Sequence, residues 1–107
     1  MTVSQAIVEF LSHQYTVDGD HRERTIQGVF GIFGHGNVAG IGQALKQLSV
    51  EDPSVMPYFQ ARNEQAMVHE STAFARMKRR RATFACTASV GPGATNMLTG
   101  AAVATTN

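Results

Sequence analysis

The sequence lacks the features that would cross-link the chain or place it in a membrane. Its only cysteine, Cys86, excludes an internal disulfide and a multi-cysteine zinc site. No apolar run approaches the roughly 20 residues of a transmembrane helix, and the N-terminus has neither the basic segment nor the apolar core of a signal peptide. We therefore expect a protein of a reducing compartment, the cytoplasm, with no membrane partner.

Charge is scarce and nearly balanced. Nine Lys and Arg residues offset eight Asp and Glu residues, so no overall field would attract nucleic acid or anionic lipid. The exception is the run R-M-K-R-R-R at residues 76–81, which is compatible with a nucleic-acid or localisation patch. At the end of a helix, however, such cations are stabilised by the helix dipole and by water. We favour that interpretation and expect no nucleic-acid partner.

What the sequence does contain is hydrophobic periodicity. With 43% hydrophobic residues in a length typical of one domain, it can build a modest core. Thr2 and Gln5 have the spacing of a capping box, and the apolar residues that follow predict the buried face of a helix. The members of that face are Val3, Ala6, Ile7, Phe10 and Leu11. Residues 18–20, which read D-G-D, and the charges after them are predicted as a loop.

Beyond that loop, strand-like segments alternate with helical patterns. Strands are predicted at residues 28–33, 56–60 and 82–89, and helices around residues 38–48, at 63–78 and from Thr95 onward. The helix around residues 38–48 is expected to bury Val38, Ile41, Leu45 and Leu48. The helix at residues 63–78 is expected to bury Met67, Phe74 and Met77. Such alternation is typical of an α/β fold with a doubly wound parallel sheet. Because ligands bind beyond the carboxyl ends of parallel strands, the turns at 34–37, 61–64 and 89–93 are expected to meet at one rim.

Two motifs on this rim resemble a known family. Residues 62–66 read R-N-E-Q-A, and residues 89–96 read S-V-G-P-G-A-T-N. The pair resembles the pyrimidine-binding domain of thiamine-diphosphate enzymes of the acetolactate synthase and pyruvate oxidase group. In that family the glutamate of the first motif contacts the aminopyrimidine of the cofactor, and the second motif lies beside it.

Two longer segments are similar to one branch of the family. Residues 31–40 read G-I-F-G-H-G-N-V-A-G, and residues 58–69 read Y-F-Q-A-R-N-E-Q-A-M-V-H. Both resemble the branch that hydrolyses a C–C bond of trihydroxycyclohexane-1,2-dione, a cyclic diketone, to 5-deoxy-glucuronate in myo-inositol catabolism. The similarity covers residues 2–107. Because members of the family are several times longer, the resemblance implies the N-terminal part of a pyrimidine-binding domain, which we expect to be inactive alone.

The resemblance also implies a role for Glu64. A carboxylic acid that is hydrogen-bonded to N1′ of the pyrimidine promotes the tautomer through which thiamine diphosphate is activated. Burial raises the pKa of a carboxyl group, and a raised pKa would favour sharing of that proton. From spacing alone, a surface glutamate at a helix start is the commoner interpretation, and the motif reverses that preference. We therefore predict that Glu64 is the catalytic residue and a cofactor ligand.

The turn Gly91-Pro92-Gly93 and Asn96 are predicted to contact the cofactor as well. Glycine permits positive φ and proline fixes φ, so the turn could also be no more than a tight connection from strand to helix. A helix N-terminus can receive an anion, but in the family the diphosphate and its Mg²⁺ are held by another domain. The resemblance therefore places these residues beside the pyrimidine and implies no metal ligand in this chain.

His35 and Asn37 lie in a glycine-rich turn. The run G-H-G-N-V-A fits the G-x-G-x-x-G/A pattern of dinucleotide-binding turns, but the acidic residue required at the end of the next strand is missing. Two interpretations remain open. Either His35 and Asn37 line the substrate pocket as polar groups facing a polyhydroxylated ring, or His35 is an exposed turn residue.

Two other functions and one assembly remain compatible with the sequence. The functions are an acetolactate synthase-type carboligase and a non-catalytic α/β nucleotide-binding module. The strand order expected from the family, 2-1-3, leaves one side of the strand at residues 82–89 open for pairing. Together with the Ala- and Gly-rich last helix, this open strand predicts a homo-oligomer.

Overall fold

A computed structural model of the chain describes residues 2–32, 38–52, 54–89 and 91–106. One π-helical turn, Val38–Gly42, runs directly into the second helix. The helices are α1 (Val3–Ser12), α2 (Gln43–Glu51), α3 (Glu64–Met77) and α4 (Pro92–Thr106). The strands are β1 (Tyr15–Asp18), β2 (His21–Arg24), β3 (Ile26–Gly31), β4 (Tyr58–Gln60) and β5 (Thr83–Thr87).

The three predicted strands form one parallel sheet, as expected for an α/β fold. Its order is β4-β3-β5, which is the order 2-1-3 of the predicted strands. Gly31 pairs with Gln60 on one side and with Thr87 on the other, so the three strands end level with one another. The segments that follow them therefore leave from a single rim of the sheet.

The segment expected to be a loop after α1 is instead a two-stranded antiparallel hairpin. Asp18 pairs with His21 across its turn, and Gly19 takes the positive φ of 63° that such a turn needs. The charges that suggested a loop are carried on strand β2, where the guanidinium of Arg22 lies 4.1 Å from the centroid of the Tyr15 ring. An ion pair between Asp18 and Arg81 joins the hairpin to the connection between α3 and β5.

The first helix packs on one face of the sheet, but not with the predicted residues. The capping box is confirmed: the backbone N–H of Gln5 donates to Thr2 Oγ1 at 3.1 Å, and that of Thr2 donates to Gln5 Oε1 at 2.8 Å. The core on this side consists of Val8, Val29, Ala44, Leu45 and Met56, with Leu11, Ile41 and Leu48 packed against it. Of the predicted face of α1, only Leu11 packs there.

The other residues of the predicted α1 face point outward. The side chains of Val3, Ile7 and Phe10 are 77%, 44% and 64% exposed. Gln5 donates from Nε2 to Gln47 Oε1 of α2 at 2.7 Å. Ser12 is buried with its hydroxyl donating to the Glu9 carbonyl at 2.8 Å. Val8 and Ser12 face inward instead, so the predicted face is wrong for four of its five members.

Helix α3 covers the opposite face of the sheet, and α4 packs against α3. Met67 is fully buried, and Phe74 packs edge-on against Phe84 with ring centroids 4.7 Å apart, as the periodicity predicted. Met77 was expected to be buried but is 84% exposed, because it is the last residue of α3. A Cβ added to Gly100 of α4 would lie 2.7 Å from Val68 Cγ1 of α3, so the two helices touch at the glycine. Among the helices in the described part of the chain, none is long and apolar enough to cross a membrane.

Candidate functional site

Helix α3 begins at the rim of the sheet with a capped carboxylate. Asn63 is the N-cap: its Oδ1 accepts a hydrogen bond from the backbone N–H of Ala66 at 2.9 Å. The cap makes Glu64 the first residue of the helix, where a negative charge is favoured by the helix dipole. Four residues after the end of β4, the chain thus presents a carboxyl group whose backbone is fixed by the helix start.

Helix α4 begins at the same rim, three residues earlier than predicted. Gly91 has a φ of 65°, Pro92 is the first helical residue, and the backbone N–H of Thr95 donates to the Gly91 carbonyl at 2.9 Å. Proline is well suited to the first helical position, because a backbone N–H at that position would have no hydrogen-bond partner within the helix. The Gly-Pro-Gly run therefore starts the helix. The positive φ at position 91 accounts for the glycine there.

The two helix starts meet through side chains. Asn96 Nδ2 donates to Glu64 Oε1 at 3.0 Å, between residues 32 apart in the chain. The other carboxyl oxygen, Oε2, would lie 3.1 Å from a Cβ added to Gly93, and that Cβ would also lie 2.8 Å from Ser89 Oγ. Glycine at position 93 thus keeps the space beside the carboxyl group open, while Asn96 fixes its orientation.

The pKa of Glu64 is shifted in the direction opposite to the one expected. The hydrogen bond from the Asn96 amide, and then that from the backbone N–H of Glu64 itself, hold the pKa of this carboxyl below its ordinary value. Desolvation acts the other way but is the weakest of the three effects. The expected raised pKa assumed a dry pocket, whereas Glu64 is only partly buried. In the described chain Glu64 is therefore ionised at neutral pH.

All the rim residues predicted from the two motifs line one open concavity. The residues that form it are Glu64, Gly91, Pro92, Gly93, Thr95, Asn96 and Thr99. Sequence reasoning missed the cap Asn63, which an asparagine directly before a helical pattern could have signalled. It also missed Ser89, whose position beside Gly93 depends on tertiary packing. His35 and Asn37 lie outside the described residues.

A second and more enclosed cavity lies elsewhere. It has a volume of about 490 Å³ and is found between α1 and α2, with Val8, Ala44 and Leu48 among its lining residues. None of the residues predicted from the motifs lines it. Among the residues that the structure describes, no group of three His, Cys, Asp or Glu side chains could hold a metal ion. The concavity at the helix starts remains the candidate site.

The chain matches a known protein family along its length. The model of the family described as thiamine pyrophosphate enzyme, N-terminal TPP binding domain, matches residues 1–107. The chain belongs to this family. Thiamine pyrophosphate is the same compound as thiamine diphosphate, so the family inferred from the two motifs is confirmed.

Three curated relatives of this thiamine pyrophosphate enzyme chain carry the same name. The chain is 50% identical over 107 residues to a protein of Geobacillus thermodenitrificans named 3D-(3,5/4)-trihydroxycyclohexane-1,2-dione hydrolase, covering 100% of this chain and 16% of that protein. A Clostridium perfringens protein of the same name is 50% identical with the same coverage, and one of Bacillus thuringiensis is 49% identical. The chain thus spans 16% of the length of these curated relatives. Comparison with solved structures gave no significant match.

The residues at the concavity fit the pyrimidine part of the cofactor. Glu64 offers a carboxyl group with one oxygen fixed by Asn96, and the missing Cβ at Gly93 leaves room beside the other oxygen. A ring nitrogen could exchange a hydrogen bond with that oxygen.

Proposed function

We propose that this chain is the pyrimidine-binding part of a thiamine-diphosphate-dependent hydrolase. Its substrate would be 3D-(3,5/4)-trihydroxycyclohexane-1,2-dione, whose C–C bond is cleaved to 5-deoxy-glucuronate in myo-inositol catabolism. The observation that carries the proposal is the carboxyl group of Glu64, held by Asn96 3.0 Å away beside the open space at Gly93. Identity of about half of the residues to hydrolases of that name supports the choice of substrate.

In this proposal Glu64 holds a proton at N1′ of the bound pyrimidine. Thiamine diphosphate supplies, when bound, the nucleophilic carbon that the reaction requires. Asn96 keeps Oε1 occupied, which leaves Oε2 as the atom that faces the ring. A ring packed over the carboxyl group would exclude water and raise the pKa of Glu64 from its lowered value. The carboxyl group could then share a proton with the ring, which an open site does not favour.

The remaining parts of the proposal concern groups outside the concavity. We infer that the diphosphate and Mg²⁺ are held by another part of the full-length protein, and that the active protein is a cytoplasmic homo-oligomer. His35 and Asn37 are proposed as substrate-facing residues because they follow, in the sequence, the end of β3 that lies at this rim. Their contribution can be measured as a rise in KM for the diketone in His35→Ala and Asn37→Ala variants.

The proposal is tested with the purified full-length protein that carries this chain. We expect hydrolysis of trihydroxycyclohexane-1,2-dione that depends on added thiamine diphosphate and Mg²⁺, with omission of the cofactor as the control. Formation of acetolactate from pyruvate without diketone hydrolysis would identify a carboligase instead. Absence of cofactor-dependent exchange of the C2 proton would show that the protein is not a thiamine-diphosphate enzyme.

A further inference from the structure

The carboxyl group of Glu64 meets a ligand as an anion. Asn96 Nδ2 donates to its Oε1 at 3.0 Å, and the backbone N–H of Glu64 adds a second hydrogen bond. These two bonds hold the pKa of the carboxyl group below its ordinary value, and the first turn of α3 also favours a negative charge. At neutral pH the group therefore carries no proton before a ligand arrives.

The other oxygen of this anion faces open space. Oε2 would lie 3.1 Å from a Cβ added at position 93, so Gly93 leaves room for a ligand there. A carboxylate oxygen accepts hydrogen bonds and has none to donate. The ring nitrogen of an aminopyrimidine, a weak base, is also only an acceptor at neutral pH. Two acceptors repel each other at hydrogen-bond distance, so a ring that binds beside Oε2 needs a proton between the two atoms.

No neighbouring group of the described chain supplies that proton. Helix α4, which contacts Glu64, has no ionisable side chain from Pro92 to Thr106. In the other segments that meet at this rim, the titratable side chains are Tyr58, Arg62, His69, Glu70 and Cys86. None of them contributes to the pKa of Glu64. Burial raises the pKa of Tyr58 and that of Cys86, so both keep their protons at neutral pH. The proton has to come from water.

We propose that the pyrimidine ring of thiamine diphosphate binds beside Glu64 together with one proton taken up from solvent. The carboxylate, the neutral ring nitrogen and one H⁺ combine into a pair that shares this proton, and no other bond forms or breaks. The inference rests on the proposed function and adds the source of the proton. A Glu64 with a raised pKa, as a dry pocket would give, would bring its own proton instead.

This proton uptake makes cofactor affinity depend on pH. The bound pair holds a proton that the free partners lack, so its pKa is higher than the pKa of either free group. The extra affinity is therefore fully present below the free pKa values and is lost as the pH rises through the pKa of the bound pair. Between these limits the association constant falls by up to about tenfold per pH unit.

The test measures proton uptake by the full-length protein. Binding of thiamine diphosphate with Mg²⁺ is followed by calorimetry in two buffers that differ in ionisation enthalpy, in wild type and in Glu64→Gln. At a pH of about 6.5 we expect wild type to take up roughly 0.5–1 proton per site more than Glu64→Gln. Protons exchanged by the diphosphate cancel in this difference, because both proteins bind it.

Two further variants serve as controls. Glu70→Gln removes a carboxylate from an exposed position of the same helix and should take up protons as wild type does. His35 follows this rim in the sequence but lies outside the described residues, so His35→Ala is measured too and should also keep the uptake. A loss in either control as large as in Glu64→Gln would assign the proton to a different group and overturn the inference.

The remaining outcomes separate this inference from the proposed function. Cofactor binding with no extra uptake in wild type would overturn the inference alone, whereas no binding of thiamine diphosphate would overturn both. Should Glu64→Gln fail to fold, wild type is measured with the cofactor analogue that has C–H in place of N1′. The analogue has no base at that position, so its uptake should fall by the same amount. Equal uptake with the analogue and the cofactor would contradict a proton shared with N1′.

Discussion

The two ends of the α3–α4 pair are built in contrasting ways. At the start of both helices, short side chains and backbone define the surroundings of one carboxylate: Asn63 caps α3, Asn96 holds Glu64, and Gly93 leaves a space that a single methyl group would fill. At the other end, the long cations Arg76 and Arg80 reach around a cavity whose hydroxyl groups are already engaged. The arrangement at the helix starts depends on contacts of about 3 Å. The arrangement at the far end depends on charge and on the length of the arginine side chains.

This contrast has a consequence for substitutions. One added or removed atom should be severe at the helix starts, because proton transfer depends on the position of the carboxyl group to within a fraction of an ångström. At the far end, a flexible side chain can adjust, so a change of charge matters more than a change of shape. The close contact at Gly100, between the two ends, should affect stability without affecting the candidate site at the helix starts.

The largest effect is expected for Glu64→Gln in the full-length protein. The amide is nearly the same size and keeps the fold, but it cannot share a proton with the pyrimidine. We expect kcat to fall by roughly 10²–10⁴, the range for losing a positioned proton-transfer group. Steady-state kinetics and C2 proton exchange of the bound cofactor would measure it. Glu70→Gln, an exposed position on the same helix, is the control; an exchange rate at the wild-type level in Glu64→Gln would refute the role of this residue.

A smaller but still large effect is expected for Gly93→Ala. The added Cβ would lie 2.8 Å from Ser89 Oγ and 3.1 Å from Glu64 Oε2, so the Ser89 hydroxyl must shift and the carboxyl group must also give way. A misplacement of about 1 Å costs on the order of 10²-fold, so we expect a fall in kcat/KM of up to about 10²-fold. The rate is compared with the thermal midpoint of the same variant. Unchanged kinetics would mean that the space beside Glu64 is not used.

Gly100→Ala is the matched substitution in the middle of the helix pair. Its Cβ would lie 2.7 Å from Val68 Cγ1, closer than any packed carbon atoms, so the helices must separate. Overpacking of this kind costs about 1–3 kcal/mol, of which the better helix propensity of alanine returns up to about 1 kcal/mol. Urea unfolding should show the loss, while the activity of the folded protein stays near wild type. A loss of activity as large as that of Gly93→Ala would mean that the two regions are not independent.

The smallest effect concerns pH and Asn96. Because the folded-state pKa of Glu64 lies below its ordinary value of 4.5, the contact stabilises the fold above that value and is lost as the pH falls through the lowered pKa. In Asn96→Ala the largest cause of the shift is gone, so the pKa of Glu64 should rise. Carboxyl chemical shifts followed by NMR would report it, and the stability difference between the two proteins should vanish at low pH. An unchanged titration would show that Asn96 does not hold the carboxylate in solution.

Much of the candidate site could be predicted because its signals are local. The pattern of small and β-branched segments indicated the three parallel strands, and parallel strands bring their carboxyl ends together. An asparagine before Glu64 and a proline after Gly91 fix the starts of two helices within a few residues of chain. The motifs then named the residues that meet there. What they could not give is the direction of the Glu64 pKa shift, since that depends on how much water reaches the carboxyl group.

The sequence by itself determined which segments become strands and helices of the sheet, because capping, turn chemistry and periodicity act over a few neighbouring residues. Tertiary structure alone decided which face of α1 is buried, since Val8 joins the core with Ala44 and Leu45 of α2 while Val3, Ile7 and Phe10 stay exposed. It also decided that Asn96 reaches Glu64 across 32 positions, and that the end of α3 and Thr83 line one small cavity with Ala104 of α4. Each of these depends on contacts between distant segments, whose relative placement no local pattern encodes.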